Sequence, residues 1–203
     1  QAADGLPLYD TYLIGDILGN RFRALDAGER LPESLVHYQE ELLNRLEIDD
    51  VQQLKTTLAA TLAVAYEPLS AAALADLLHR RTLLASPGDV ELVHRALGAV
   101  GSIVRRGVTP EGEVGFALYH QSLREHMLAS ERMKNSIATA KSAIANAATD
   151  PGASAASAYL FRRGVEHLLK VARSADALGL LCSFPYLMAR LQRTVSVVHR
   201  QGL

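Results

Sequence analysis

Between Val114 and Leu128 the chain reads Val114-Gly115-Phe116-Ala117-Leu118-Tyr119-His120-Gln121-Ser122-Leu123-Arg124-Glu125-His126-Met127-Leu128, and its hydrophobic period changes partway along. Up to Tyr119 apolar and small residues alternate, as in a half-buried strand. Beyond it, Leu123 and Met127 are spaced to share one helical face. His120 is thereby placed at a strand-to-helix junction. A helix N-terminus presents N–H groups and the positive end of a dipole, and an imidazole can donate to an anion, so a phosphate suits this position. Whatever fold the chain adopts must bring a strand to this point and pack a helix after it.

The flanking segments supply those parts. Asp4-Gly5-Leu6-Pro7-Leu8 reads as a turn entering a helix, with Tyr9, Leu13 and Ile17 recurring every four residues until Gly19-Asn20. After a polar link, Pro32 and Glu33 open a second helix with Leu35, Tyr38, Leu42 and Leu46 on one face, and a third runs from Val51 with Leu54, Leu58, Leu62 and Ala65 in register. From Glu67 the order becomes that of a winged helix. Ser70 caps a helix from Ala71 to His79, and Asp89 caps another through Val90, Val93, Leu97 and Val100. Ser102 to Val108 then reads as a strand, Thr109-Pro110-Glu111-Gly112 as a turn and Glu113 to Tyr119 as the returning strand. The remainder is helical: His120 to about Met133 grading into Asn135 to Ala148, then Tyr159 to Arg173, a helix starting at Ser174 or Asp176, and a last one opened by Phe184-Pro185. Paired short helices of this kind resemble the start of a repeat array.

The expected class is therefore mainly α: a small helical domain over 1–48, a winged helix with a two-stranded wing over 49–133, and a repeat-like helical segment over 134–203. At 203 residues and 49% hydrophobic content the chain can bury one good core or two smaller ones. Twenty-one basic residues against 22 acidic ones give nothing that recruits nucleic acid or acidic lipid overall. A single cysteine, Cys182, excludes an intrachain disulfide framework and a cysteine-built zinc site and fits the cytoplasm. No apolar run approaches the roughly 20 residues of a membrane span, and the N-terminus lacks the regions of a signal peptide. Opening on Gln1 rather than Met suits a piece of a longer protein.

These residues carry a family resemblance over nearly the whole chain. Gly5-Leu6-Pro7-Leu8-Tyr9 looks like the Gly-x-Pro element that follows the nucleotide-binding core of signal-transducing NTPases with numerous domains, the STAND class of NACHT, NB-ARC and apoptotic protease-activating-factor-like proteins. Leu31-Pro32-Glu33-Ser34-Leu35-Val36-His37-Tyr38 resembles their Leu-Pro-x-x-Leu-x-x-Tyr helix, and Glu67-Pro68-Leu69-Ser70 the start of their winged helix. Tyr119-His120-Gln121-Ser122-Leu123-Arg124-Glu125-His126 resembles their winged-helix histidine motif, with Leu123 for Phe and His126 for Tyr. Tyr159-Leu160-Phe161, His167-Leu168-Leu169 and Ala177-Leu178-Gly179-Leu180-Leu181 look like the connector that leads to WD40, TPR or other sensor repeats.

The resemblance implies a switch in which ADP sits between the core and the winged helix, and exchange for ATP with magnesium lets the protein oligomerise. Carried onto this chain, His120 would sense the β-phosphate, and Pro7, with Gly5 before it, would meet the adenine. The implied partners are the protein's own nucleotide-binding core and downstream sensor repeats, with a homo-oligomer on activation, and the implied setting is defence (innate immunity, antiphage) or cell death. No Gly-x-x-x-x-Gly-Lys-Ser/Thr phosphate loop occurs in the 203 residues, so the expectation is a regulatory segment with no enzyme activity, no metal and no nucleotide bound to it alone. Ser122, two residues after His120, fits a first-turn helix position, and no carboxylate stands out to orient a catalytic histidine. Arg80-Arg81 and Arg105-Arg106 read as surface charges, His167 as a packing residue, and Tyr66 as core. The competing class is a DNA-binding winged-helix regulator. Its recognition helix would be Asp89 to Gly101, where Arg95 is the one fixed cation and Asp89 and Glu91 stand at the end that meets bases, which makes nucleic acid an unlikely partner.

Overall fold

The computed structural model describes residues 35–47, 53–80, 84–86, 88–150, 152 and 154–200. The chain divides into two compact units, 1–50 and 51–203. In the first, helix α1 (Leu35–Glu47) is described, with Tyr38, Leu42, Leu43 and Leu46 buried. The expected helix through Tyr9, Leu13 and Ile17, together with Gly5 and Pro7, lies outside the described residues.

The second unit is built around helix α2 (Leu54–Val64). Every residue from Thr57 to Ala65 is buried, so this helix has no polar face and serves as a core element on all sides. Thr61 remains compatible with that interior because its hydroxyl donates back to the Thr57 carbonyl at 2.8 Å. After α2 come β1 (Leu69–Ser70), α3 (Ala71–His79), α4 (Val90–Ala99), β2 (Val104–Val108) and β3 (Val114–Leu118). Ser70 caps α3 as expected, its Oγ accepting from the Ala73 N–H at 3.2 Å. Asp89 stands at the N-cap position of α4 without a side-chain cap bond, contrary to expectation. Just before it, Ser86 Oγ accepts from the Gly88 N–H at 3.2 Å.

The hairpin pairs Val104 with Leu118 and Val108 with Val114, and its turn is closed by Gly112 at φ 85°. The sequence pattern did not show that Leu69 and Ser70 also pair with Phe116 and Gly115, giving a sheet of order β1-β3-β2. Gly115 permits this: a Cβ there would stand 2.8 Å from Thr109 Cγ2 and 2.9 Å from Pro68 Cβ.

Beyond the sheet, α5 (Gln121–Ala129) stops at Ser130, whose backbone is extended at φ −69°, ψ 123°. The expected continuous run toward Met133 is therefore broken, and α6 (Lys134–Thr149) starts afresh after Met133, which is buried. Helix α6 packs on α2 on one side and on α7 (Ser157–Lys170) on another, so the sequence-based boundary at 133/134 falls inside the second unit. Helix α7 approaches α6 closely at Gly164, where an added Cβ would stand 2.8 Å from the Ala148 methyl. Helices α8 (Ser174–Leu181) and α9 (Phe184–Arg200) complete the unit. Tyr186 anchors α9 by donating to the Phe161 carbonyl at 3.1 Å. Phe184, Leu187, Met188 and Leu191, spaced as one helical stripe, are exposed, and so are Leu178 and Leu181 of α8. Nine helices and one small sheet make the described residues mainly α, the class expected.

Candidate functional site

His120 is where the period change placed it, between the last residues of β3 and the first turn of α5. Its backbone is extended (φ −140°, ψ 149°) and its side chain is the cap of α5: Nδ1 accepts from the Ser122 N–H at 3.1 Å. A backbone N–H can only donate, so Nδ1 must carry the lone pair, and a neutral ring keeps its proton on Nε2. The ring is half-buried and borders a cleft of about 220 Å³. Ser122 Oγ also lies 3.0 Å from Nδ1, a separation that a nucleophile and its base would share. Because that nitrogen is already held by the Ser122 amide, the contact belongs to the helix cap and does not activate the hydroxyl.

Two arginines join His120 around the cleft, Arg105 from β2 and Arg124 from one turn further along α5. Arg124 is aimed by its surroundings. Its Nε donates to the Ala63 carbonyl at 2.8 Å, at the C-terminal end of α2 where helix carbonyls lack intrahelical partners, and its guanidinium lies 5.9 Å from the centre of the Tyr66 ring. Tyr66, expected in the core, is half-buried and borders the cleft instead. Glu67 is the one carboxylate in the lining, and its charge is spent elsewhere. Arg162 of α7 holds Glu67 Oε1 at 2.5 Å and also engages Glu111 of the β2–β3 turn, while Arg163 reaches Glu67 Oε2 at 3.2 Å. The cleft is left with a cationic balance suited to an anion.

Behind Tyr66 sits a polar chain of three residues. The Tyr66 N–H donates to Tyr159 Oη at 3.3 Å, and Tyr159 Oη and His167 Nε2 share a hydrogen bond at 2.5 Å. His167 is 2% exposed. Burial, reinforced by the Arg163 and Arg124 cations, lowers its pKa to about 4, so the ring is neutral near pH 7. Burial also pushes the Tyr159 phenol well above its ordinary value. His167 is thus the packing residue that the sequence suggested, hydrogen-bonded to a tyrosine.

Of the residues singled out from sequence, His120 is placed at a cleft, whereas Gly5 and Pro7 lie outside the described residues. Arg105, read as a surface charge, is exposed and lines the same cleft. Arg124 carried a legible signal, since it follows His120 by four residues and so shares its side of the helix. Glu67 and Arg162 are 95 residues apart, and nothing in a single sequence pairs them. Among the described residues no three of His, Cys, Asp and Glu are grouped to hold a metal ion, and no helix is long and apolar enough to cross a membrane. Comparison with models of known protein families, with curated proteins and with solved structures finds no match.

Proposed function

We propose that this chain is the regulatory middle of a STAND-class, NACHT-like nucleotide switch: a helical domain (1–48), a winged helix (49–133) and a connector toward sensor repeats (134–203). In this reading it holds an ADP-bound resting state in the cytoplasm, rearranges on exchange for ATP, and permits oligomerisation in defence or cell-death signalling. The observation that supports it is the state of His120. The ring is fixed by capping α5, carries its proton on Nε2, and borders a cleft whose other fixed charges are Arg105 and Arg124 once Glu67 is neutralised. A phosphate oxygen fits such a donor set, with Nε2–H as the directional contact and the guanidinium groups as the field. The segment does no chemistry of its own here. It would read the charge of a nucleotide that a neighbouring core binds, and the bound nucleotide would supply the phosphate.

The test separates the ring's two roles. Asn at position 120 keeps a capping oxygen but removes the Nε2 donor. Full-length protein purified without added nucleotide should carry ADP, and the H120N variant should release it about tenfold faster, the size of one lost charge-assisted hydrogen bond. Equal release from both proteins overturns the proposal. Tight, steeply salt-dependent binding of mixed-sequence DNA would replace it with the transcriptional-regulator reading.

A further inference from the structure

A second cavity, of about 300 Å³, shares Tyr66, Gln121 and Arg124 with the His120 cleft but has its own floor. Three helices each contribute one basic residue to its lining: Arg124 from α5, Lys141 from α6 and Lys170 from α7. No carboxylate lines it. Elsewhere in this unit several basic side chains meet acids: Arg80 with Asp76, Lys134 with Glu131, Arg162 and Arg163 with Glu67, and Arg173 with Asp176. Among the described residues neither Lys141 nor Lys170 takes part in an ion pair. Like charges around one concavity repel, and a concave wall concentrates their field on the space it encloses.

The rest of the lining narrows the ligand. Gln121, whose Nε2 also donates to Glu125 Oε1 at 2.9 Å, and the His167 ring, hydrogen-bonded to Tyr159 through Nε2, add neutral polar groups to the lining. The volume is at the small end for ligand cavities, which admits a compact anion and not a whole nucleotide. We propose that Arg124, Lys141 and Lys170 form a binding site for a small multivalent oxyanion, a polyphosphate group or a dicarboxylate, distinct from the nucleotide contact at His120. It shares Arg124 with the His120 cleft, and its test turns on the two lysines, which the switch reading does not use.

The experiment is a calorimetric and NMR titration of the purified chain at low ionic strength, with pyrophosphate in one arm and succinate in the other. Saturable binding is expected, with amide shifts at Lys141, Lys170 and Gln121. The stronger arm identifies phosphate or carboxylate as the source. K141Q and K170Q retain the aliphatic stems and should each weaken binding about tenfold, the double variant more, with melting temperatures unchanged. H120N should keep the shifts at Lys141 and Lys170. Absence of saturation in both arms overturns the site. So do equal affinities for the parent and the double lysine variant, or a loss of the Lys141 and Lys170 shifts in H120N.

Discussion

His120 shows how one ring can do structural and recognition work together, and how the two can be pulled apart. Its Nδ1 satisfies a first-turn amide of α5, so H120A should cost about 1 kcal/mol and H120N almost none, as read from urea denaturation midpoints. His167 makes the opposite kind of prediction, through pH. Its folded pKa of about 4 lies below the ordinary 6.5, so the unfolded chain takes up the proton first as the solution is acidified. The stability this ring contributes is complete above pH 6.5 and is lost as pH falls toward 4, by about 3 kcal/mol in all. Denaturation free energies measured across that window should therefore slope more steeply for the parent than for H167Q, which keeps a hydrogen-bonding partner for Tyr159. Parallel slopes would show that another group dominates the acid limb.

At the scale of elements, the α6–α7 contact is set by a glycine. Gly164 admits the Ala148 methyl, and a second methyl would have to share that space. G164A should lose about 1–2 kcal/mol despite alanine's better helix propensity. A148G in the same background should recover part of that loss, and the double-mutant cycle measures the coupling. Purely additive effects would mean that the helices can slide apart freely. The elements themselves were largely legible: α3 and α4 start where the pattern placed them, because apolar spacing and Ser70 act within a few residues of each other. Two features were not. β1 is two residues long, too short to show an alternation, and exists through its pairing with Phe116 and Gly115. The break at Ser130 carries no glycine or proline and is a choice made by packing. The site was half legible, since His120 and Arg124 lie on one local pattern while Arg105 and Glu67 reach the cleft through pairings distant in sequence.

Over the whole of the second unit, what ties its ends together is charge as well as apolar packing. Glu67, before β1, is clamped by Arg162 and Arg163 of α7, and Arg162 also reaches Glu111 of the hairpin turn. Removing the shared carboxylate leaves Arg162 with Glu111 and Arg163 with Glu166 as their remaining partners, so E67A should destabilise the unit by about 2 kcal/mol. The loss should show as one cooperative shift in far-UV and near-UV dichroism. A change confined to the near-UV signal would mean that the clamp orders only its surroundings. The residues next to Glu67 are equally committed: Pro68 lies against Gly115, Leu69 pairs with Phe116, and Ser70 starts α3. Four adjacent positions thus have separate, unlike appointments, each fixed in register by its neighbours. Gaining or losing a single codon anywhere in that tetrapeptide would misalign the others simultaneously, so related genes should vary in spelling there long before they vary in length.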